Sequence, residues 1–243
     1  MNIFTSIRME LNKIGASVLE TEYVSYNLRL IRMIPYGKIN FIPGQSIALH
    51  INRKDMDINN ETRYFSVTTP PEAATLLEIL IKHNPESVVS NYLFKSIKEG
   101  DDLEISGPYG MALLDYNAKK ITLIAGGSGI APFISMIRQI MQNRTNQNIH
   151  LIYSVKKSEE FAFKVELDTF ALTNSNIRID YVATKDDKWK GDNKRINFEY
   201  LKNKISEMEG LFYICGPAQM IHDVTNYLKE LGIKDENIIF EKY

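Results

Sequence analysis

The chain has 243 residues, enough for one large domain or two ordinary ones, and 44% of them are hydrophobic. Its 29 basic and 30 acidic residues nearly balance, which argues against nucleic acid or an anionic membrane as the main partner. The single cysteine and four scattered histidines predict no disulfide and no metal site, and the lack of a long apolar run or a signal peptide predicts a cytoplasmic protein without a membrane span.

Strand signals dominate the first half of the chain, residues 1–116. Short apolar or alternating runs between turn residues predict strands at 24–32, 46–51, 64–69, 76–82 and 103–106. Pairs of proline and glycine mark the turns between them. One helix is predicted at about 88–97, because apolar residues recur there at helical spacing. Several short strands with such punctuation predict an antiparallel barrel.

Two stretches of this half carry side chains suited to a nucleotide. In Arg63-Tyr64-Phe65-Ser66, the arginine suits a phosphate, the aromatic rings offer stacking faces and the hydroxyl can donate a hydrogen bond. The alternative is an ordinary strand with a surface arginine and a core phenylalanine. In the second stretch, which begins at Ser87, the hydroxyls lie at a predicted helix start. There they either cap the helix or form an anion site.

The second half, residues 117–243, alternates strands with helices. Strands are predicted at 121–125, 149–155, 177–183, 211–214 and 237–241. Helices are predicted between them, at about 130–142, 158–170, 197–206 and 217–231. This alternation predicts a doubly wound parallel sheet, in which ligands bind at the carboxyl ends of the strands.

Two of these strand ends carry glycine turns. The first strand runs into Gly126-Gly127-Ser128-Gly129 and then a helix, which is the geometry that binds a dinucleotide pyrophosphate. The motif differs from the usual GxGxxG fingerprint, because Pro132 occupies the position of its last glycine. The alternative interpretation is a tight strand–helix turn that binds no ligand. The fourth strand ends in Cys215-Gly216-Pro217, which would face the same ligand site. The alternative is that the cysteine is only a small buried packing residue.

Taken in order, these motifs resemble those of the ferredoxin–NADP reductase superfamily of flavoproteins, over nearly the whole chain. The matching stretches are FIPGQ at 41–45, RYFS at 63–66, SVVS at 87–90, GPYG at 107–110, GGSGIAP at 126–132 and CGPAQM at 215–220. The resemblance implies a FAD-binding Greek-key barrel over residues 1–116 and an NAD(P)-binding α/β domain over residues 117–243. Phe65 and Ser87 depart from the family pattern, which usually has tyrosine and glycine there.

The resemblance also implies a site. Arg63 would pair with the FAD pyrophosphate, Phe65 would stack on the isoalloxazine and Ser66 would hydrogen-bond flavin N5. Cys215 would lie beside the nicotinamide, and Tyr243 would cover the flavin face, unless it is an ordinary strand-end aromatic. The remaining cofactor-binding residues are, for FAD, Tyr64, Ser87, Val89 and Ser90 and, for the coenzyme, Gly127, Ser128, Gly129, Gly216, Pro217, Lys156, Thr184, Lys185 and Arg195.

The basic residues of that set favour NADPH, because the family places such side chains at the 2′-phosphate. The alternative is a solvated mixed-charge loop, since Asp186 and Asp187 adjoin Lys185. The implied activity is hydride transfer from nicotinamide to flavin N5, followed by electron transfer to a separate acceptor such as a ferredoxin, a small oxidant or free flavin. Two alternatives remain, a reductase that uses flavin as a substrate and a flavoprotein subunit that acts only inside a larger complex.

Overall fold

A computed structural model describes residues 12–73 and 75–242. Tyr243, predicted to cover the flavin, lies outside the described residues. Among those residues, none of the helices combines the length and the apolar character needed to cross a membrane.

The described part of the first half folds into six antiparallel strands and one short helix. These are β1 Ile14–Ser25, β2 Leu28–Pro35, β3 Ser46–Arg53, β4 Ile58–Ser66, β5 Leu77–Lys82, α1 Val88–Asn91 and β6 Asp102–Tyr109. The strands pair in the order β4-β3-β6-β1-β2-β5, and contacts between β4 and β5 bring the two edges together. Inward side chains such as Ile47, Leu49 and Ile51 fill its core, so the predicted antiparallel barrel is confirmed.

For three elements of the barrel, the predicted first or last residues were wrong. The strand at 24–32 is a hairpin, because the chain turns at Tyr26-Asn27 and the Asn27 carbonyl accepts a hydrogen bond from the His83 amide. Strand β4 begins at Ile58, in a polar run without an apolar signal. The helix at 88–97 is only four residues of α-helix followed by a π-helical turn, Tyr92–Ser96.

The described second half is a parallel sheet of five strands covered by four helices. The elements are β7 Lys120–Gly126, α2 Ala131–Asn143, β8 Asn148–Val155, α3 Lys164–Thr173, β9 Ile177–Ala183, α4 Phe198–Lys204, β10 Leu211–Gly216, α5 Ala218–Glu230 and β11 Ile238–Lys242. The strand order is β11-β10-β7-β8-β9. Helices α2 and α3 pack on one face and α4 and α5 on the other, so the doubly wound sheet is confirmed.

Each strand of this half matches its prediction closely, but one helix starts late. Residues 158–160 form a separate 3₁₀ turn before α3, since both the amide and the hydroxyl of Ser158 donate to Asp186. The predicted boundary between residues 116 and 117 falls in the connection from β6 to β7 and stays a prediction.

Candidate functional site

The glycine loop after β7 allows two strand ends to approach closely. Gly127 has a φ of +57°, in the left-handed region that glycine adopts without strain. A side chain at Gly129 would come within 2.3 Å of the Cys215 carbonyl oxygen, so the end of β10 leaves no room for one. The loop then turns into α2, with Pro132 in its first turn. This cradle fits a pyrophosphate, because the backbone is bare and the helix start offers amide donors.

A cavity of about 460 Å³ opens beside this loop, and we refer to it as the coenzyme cavity. It collects predicted residues from the ends of separate parallel strands, as expected for a ligand site in such a sheet. Those that line it are Gly127, Lys156, Thr184, Lys185, Arg195 and Pro217. The structure therefore brings together residues that lie up to 90 positions apart in the chain.

Other residues line the coenzyme cavity that sequence reasoning did not assign to it, among them Lys82, Glu160, Met220 and Asp223. Lys82 comes from the barrel: a methyl-sized group at Gly127 would lie 3.1 Å from its Nζ. Nothing in the sequence distinguishes this strand-end lysine from a solvated one. Glu160 was missed because it comes after the end of β8 at Val155, beyond the strand end at which a ribose-binding acid is expected. The cavity thus has walls from both domains.

The other predicted residues of this half lie around the loop. Ser128 is half-buried, and Gly216 packs against Gly126. Cys215 is fully buried at the end of β10 and belongs to the core between the sheet and α2. Its burial agrees with the alternative of a small packing residue, and its place beside the nicotinamide stays a prediction.

A second cavity, also of about 460 Å³, lies against the barrel, and we refer to it as the flavin cavity. Three residues of the predicted flavin motif line it, Arg63, Tyr64 and Phe65. The Tyr64 ring meets Tyr109 edge-on, with centroids 5.2 Å apart. Arg63 Nη1 donates to Glu61 Oε2 at 2.6 Å, a partner that the sequence motif did not suggest.

Ser66, at the end of β4, does not itself line this cavity but connects through Ser46 to a carboxylate of the other domain. It is buried, and its hydroxyl oxygen is 3.4 Å from that of Ser46. Ser46 in turn donates to Glu241 Oε1 at 3.2 Å. Glu241 lines the flavin cavity from the last parallel strand, and burial raises the pKa of its carboxyl group. Its Oε2 is buried without a hydrogen-bond partner in the described chain, so this atom can still take a donor from a ligand.

The predicted phosphate site at the start of α1 has its side chains in structural roles. Ser87 caps the helix by accepting from the Ser90 amide at 3.2 Å, and the Ser90 hydroxyl accepts from the Asn84 amide at 2.8 Å. Val89 is buried in the barrel core, so it could offer a ligand only its backbone. The helix contacts β4, which carries Arg63. Phosphate binding by these three residues stays a prediction.

Two family models match the chain and divide it as the two sheets do. Residues 16–113 match the oxidoreductase FAD-binding domain, and residues 123–226 match the oxidoreductase NAD-binding domain. The predicted cofactors FAD and NAD(P)H are thereby confirmed as those of the two domains. The residues of the two cavities fit these groups, with an arginine and aromatic rings in one and a glycine cradle with cations in the other.

Known proteins with similar sequences include dioxygenase electron transfer components and flavohemoproteins. The anthranilate 1,2-dioxygenase electron transfer component of Acinetobacter baylyi is 29% identical over 95% of this chain and 67% of its own length. A flavohemoprotein of Bacillus cereus is 30% identical over 84% of this chain and 54% of its own. The chain therefore spans between about half and two thirds of the length of these relatives.

A solved structure with a similar fold is a ferredoxin NADP+ reductase from Neisseria gonorrhoeae with bound FAD and NADP. It superposes with a TM-score of 0.83 at 22% identity, over 96% of this chain and 99% of that one. At this identity the likeness shows the shared fold. It agrees with the barrel and parallel sheet described above.

Proposed function

Because the chain belongs to the ferredoxin–NADP reductase superfamily, we propose that it is an NAD(P)H-dependent FAD oxidoreductase that passes electrons to a separate acceptor. The observation that carries this proposal is that each domain contributes to the cavity of the other. Lys82 of the barrel lines the coenzyme cavity, and Glu241 of the α/β domain lines the flavin cavity. Two cofactors held in this way would lie at one domain boundary, as a reaction between them requires.

The protein's own residues hold, orient and shield the two cofactors in this proposal. FAD, when bound, supplies the hydride acceptor and can release electrons singly. Arg63 holds its phosphates, while Phe65 and Tyr64 limit the position of its ring system. Ser66 and Glu241, both turned toward Ser46, present hydrogen-bonding groups at the buried side of the cavity. Gly127 and Gly129 let the coenzyme backbone approach the loop.

The acceptor we propose is a ferredoxin or a similar redox protein, with a small oxidant as the alternative. The relatives named as electron transfer components support a protein acceptor. For the coenzyme we propose NADPH, because Lys156, Lys185 and Arg195 meet in one cavity. That clustering favours a 2′-phosphate over a solvated mixed-charge loop.

The visible spectrum of the purified protein, recorded before and after anaerobic addition of NADPH or NADH, tests the proposal. We expect a yellow protein whose flavin absorption bleaches on addition, faster with NADPH. A colourless protein that reduces only added flavin would favour the flavin-substrate alternative. A yellow protein that bleaches but turns over no artificial acceptor would favour a subunit of a larger complex.

A further inference from the structure

The tip of the β1–β2 hairpin reaches from the barrel to the coenzyme cavity. Tyr26, in that turn, donates from its hydroxyl to Glu160 Oε1 at 2.6 Å. Glu160 is 2% exposed and lines the coenzyme cavity. The turn is itself fixed, since the Asn27 carbonyl accepts from the His83 amide, next to Lys82. A single hydroxyl of one domain therefore holds a buried carboxylate of the other.

This carboxylate lies in the same cavity as the basic side chains that we assign to the coenzyme phosphates. The cavity is lined by four basic side chains, Lys82, Lys156, Lys185 and Arg195, and by two acidic ones, Glu160 and Asp223. The coenzyme phosphates are stabilised by pairing with these basic groups. A buried carboxylate that has lost its hydrogen-bond donor is also stabilised by pairing with a cation. Released from Tyr26, Glu160 would be an internal anion that competes with the phosphates for those cations.

Tyr26 is suited to restrain it over the whole neutral range. Its hydrogen bond to Glu160, together with burial of the phenol, raises the pKa of Tyr26 to about 12, so the hydroxyl keeps its proton. Lys157 Nζ lies 5.7 Å from the centre of the Tyr26 ring, a contact that further fixes the side chain.

We propose that Tyr26 is a positioning residue that holds the Glu160 carboxylate away from the phosphate-binding cations and so sets the affinity for the nicotinamide coenzyme. The inference rests on the proposed function, because it takes the coenzyme cavity to bind NADPH or NADH. The barrel hairpin would thus influence coenzyme binding through Glu160, although the hairpin itself would not contact the coenzyme.

A double-mutant cycle with Tyr26→Phe and Glu160→Gln tests the inference, read as the Kd of NADP⁺ by calorimetry on the flavin-loaded protein. We expect Tyr26→Phe to weaken NADP⁺ binding about tenfold, the factor carried by a hydrogen bond to a charged group. In the Glu160→Gln background the same change should alter the Kd by less than about twofold, since an amide carries no charge to compete. Tyr36→Phe is the matched control, because its hydroxyl bonds Asp102 within the barrel.

Two results would overturn the inference. One is a Tyr26→Phe protein, folded by its thermal melt, that binds NADP⁺ as tightly as the parent. The other is a Tyr26→Phe change that weakens NADP⁺ binding as much in the Glu160→Gln background as in the parent, which would assign the effect to hairpin packing. A parent protein that binds none of NADP⁺, NADPH, NAD⁺ and NADH would instead contradict the proposed function, and the positioning role with it.

Discussion

Arg63 forms an ion pair with Glu61 at the flavin cavity, and this ion pair is weak enough for a phosphate to replace it. The side chains of Arg63 and Glu61 are 43% and 44% exposed, and an ion pair between exposed groups contributes about 0–1 kcal/mol. A guanidinium–phosphate bond contributes roughly 1.5–3 kcal/mol. We therefore expect Arg63→Ala to raise the Kd for FAD about tenfold or more without loss of the fold. Fluorescence titration of the apoprotein with FAD measures this.

Arg53→Ala is a matched control for that measurement. Arg53 pairs with Asp55, two residues away on the same barrel, as Arg63 pairs with Glu61. It does not line the flavin cavity, so FAD affinity should stay at the parent value. An Arg63→Ala protein that purifies with full flavin would remove Arg63 from the phosphate site.

Ser66 and Cys215 are predicted to act on the hydride step rather than on flavin retention. Loss of one preorganised donor at a reacting centre typically costs on the order of 10²-fold in rate. We expect Ser66→Ala and Cys215→Ser to slow anaerobic flavin reduction by NADPH by about that factor, measured by stopped flow, with FAD still bound. Cys215 is wholly buried and Ser66 is 2% exposed. Both assignments therefore require that the nicotinamide enters as far as the end of β10, where Cys215 lies. Unchanged rates in both variants would place the two residues in the packing.

At the scale of elements, the loops after β8 and β9 and the end of β5 supply different cations to the coenzyme cavity. We assign Lys185 and Arg195, which follow β9, to a 2′-phosphate, and Lys82, which reaches Gly127, to the pyrophosphate. We expect Lys185→Ala/Arg195→Ala to lower kcat/KM for NADPH about 10²-fold and hardly to affect NADH, since each lost bond is worth roughly 1.5–3 kcal/mol.

Lys82→Met is the informative comparison, because the pyrophosphate is common to both coenzymes. It should lower kcat/KM for NADPH and NADH alike, by about tenfold. Equal losses for the two coenzymes in the Lys185→Ala/Arg195→Ala protein, or a parent that prefers NADH, would contradict the assignment of the basic cluster.

The sequence predicted the α/β half better than the barrel for a physical reason. Parallel strands buried on both faces, such as β7, give continuous apolar runs, and amphipathic helices such as α2 give a clear period. The barrel strands are half exposed, so the β1–β2 hairpin, whose turn carries no glycine or proline, was predicted as one strand. Polar β4 was predicted too short for the same reason.

For the candidate sites, the sequence predicted the residues that belong to local motifs and missed those contributed across the domain boundary. The glycine loop and the basic strand ends lie within one domain, where the spacing along the chain indicates their position. Lys82 and Glu241 reach cavities built by the other domain, and the Ser46–Glu241 hydrogen bond joins residues 195 positions apart. No periodicity or motif encodes such a contact, because it depends on how the two sheets pack.

At the scale of the whole molecule, a network of buried polar groups joins the barrel to α2. The Ser135 hydroxyl donates to the Thr69 carbonyl at 2.9 Å, and Arg138 Nη1 lies 2.9 Å from Glu78 Oε1. Arg138 also binds Glu166 of α3 at 2.8 Å, so one guanidinium links three elements. Since both cavities have walls from both domains, this network helps to fix their geometry.

Glu78 makes that network dependent on pH. Burial alone would raise the pKa of its carboxyl group, but Arg138, Thr68 and Arg32 outweigh burial and hold the pKa below its usual value of 4.5. The unfolded chain then binds more protons than the folded one between the two pKa values, so stability rises with pH across that window. The contribution is fully present above pH 4.5 and is lost as the pH falls through the folded-state pKa.

We therefore expect Glu78→Gln to reduce the free energy of unfolding near neutral pH and to have a smaller effect in acid. Removing one partner of a buried pair costs about 3–5 kcal/mol, and the remaining Glu166 places this case at the lower end. Urea unfolding of both proteins from pH 3 to pH 7 measures the difference, which should grow as the pH rises through the window below 4.5 and then stay level. Glu22→Gln is the control, because Glu22 is an exposed partner of the same Arg32 and should contribute less than about 1 kcal/mol. A difference between parent and Glu78→Gln that is constant with pH would contradict an ionised Glu78 as the link between the two domains.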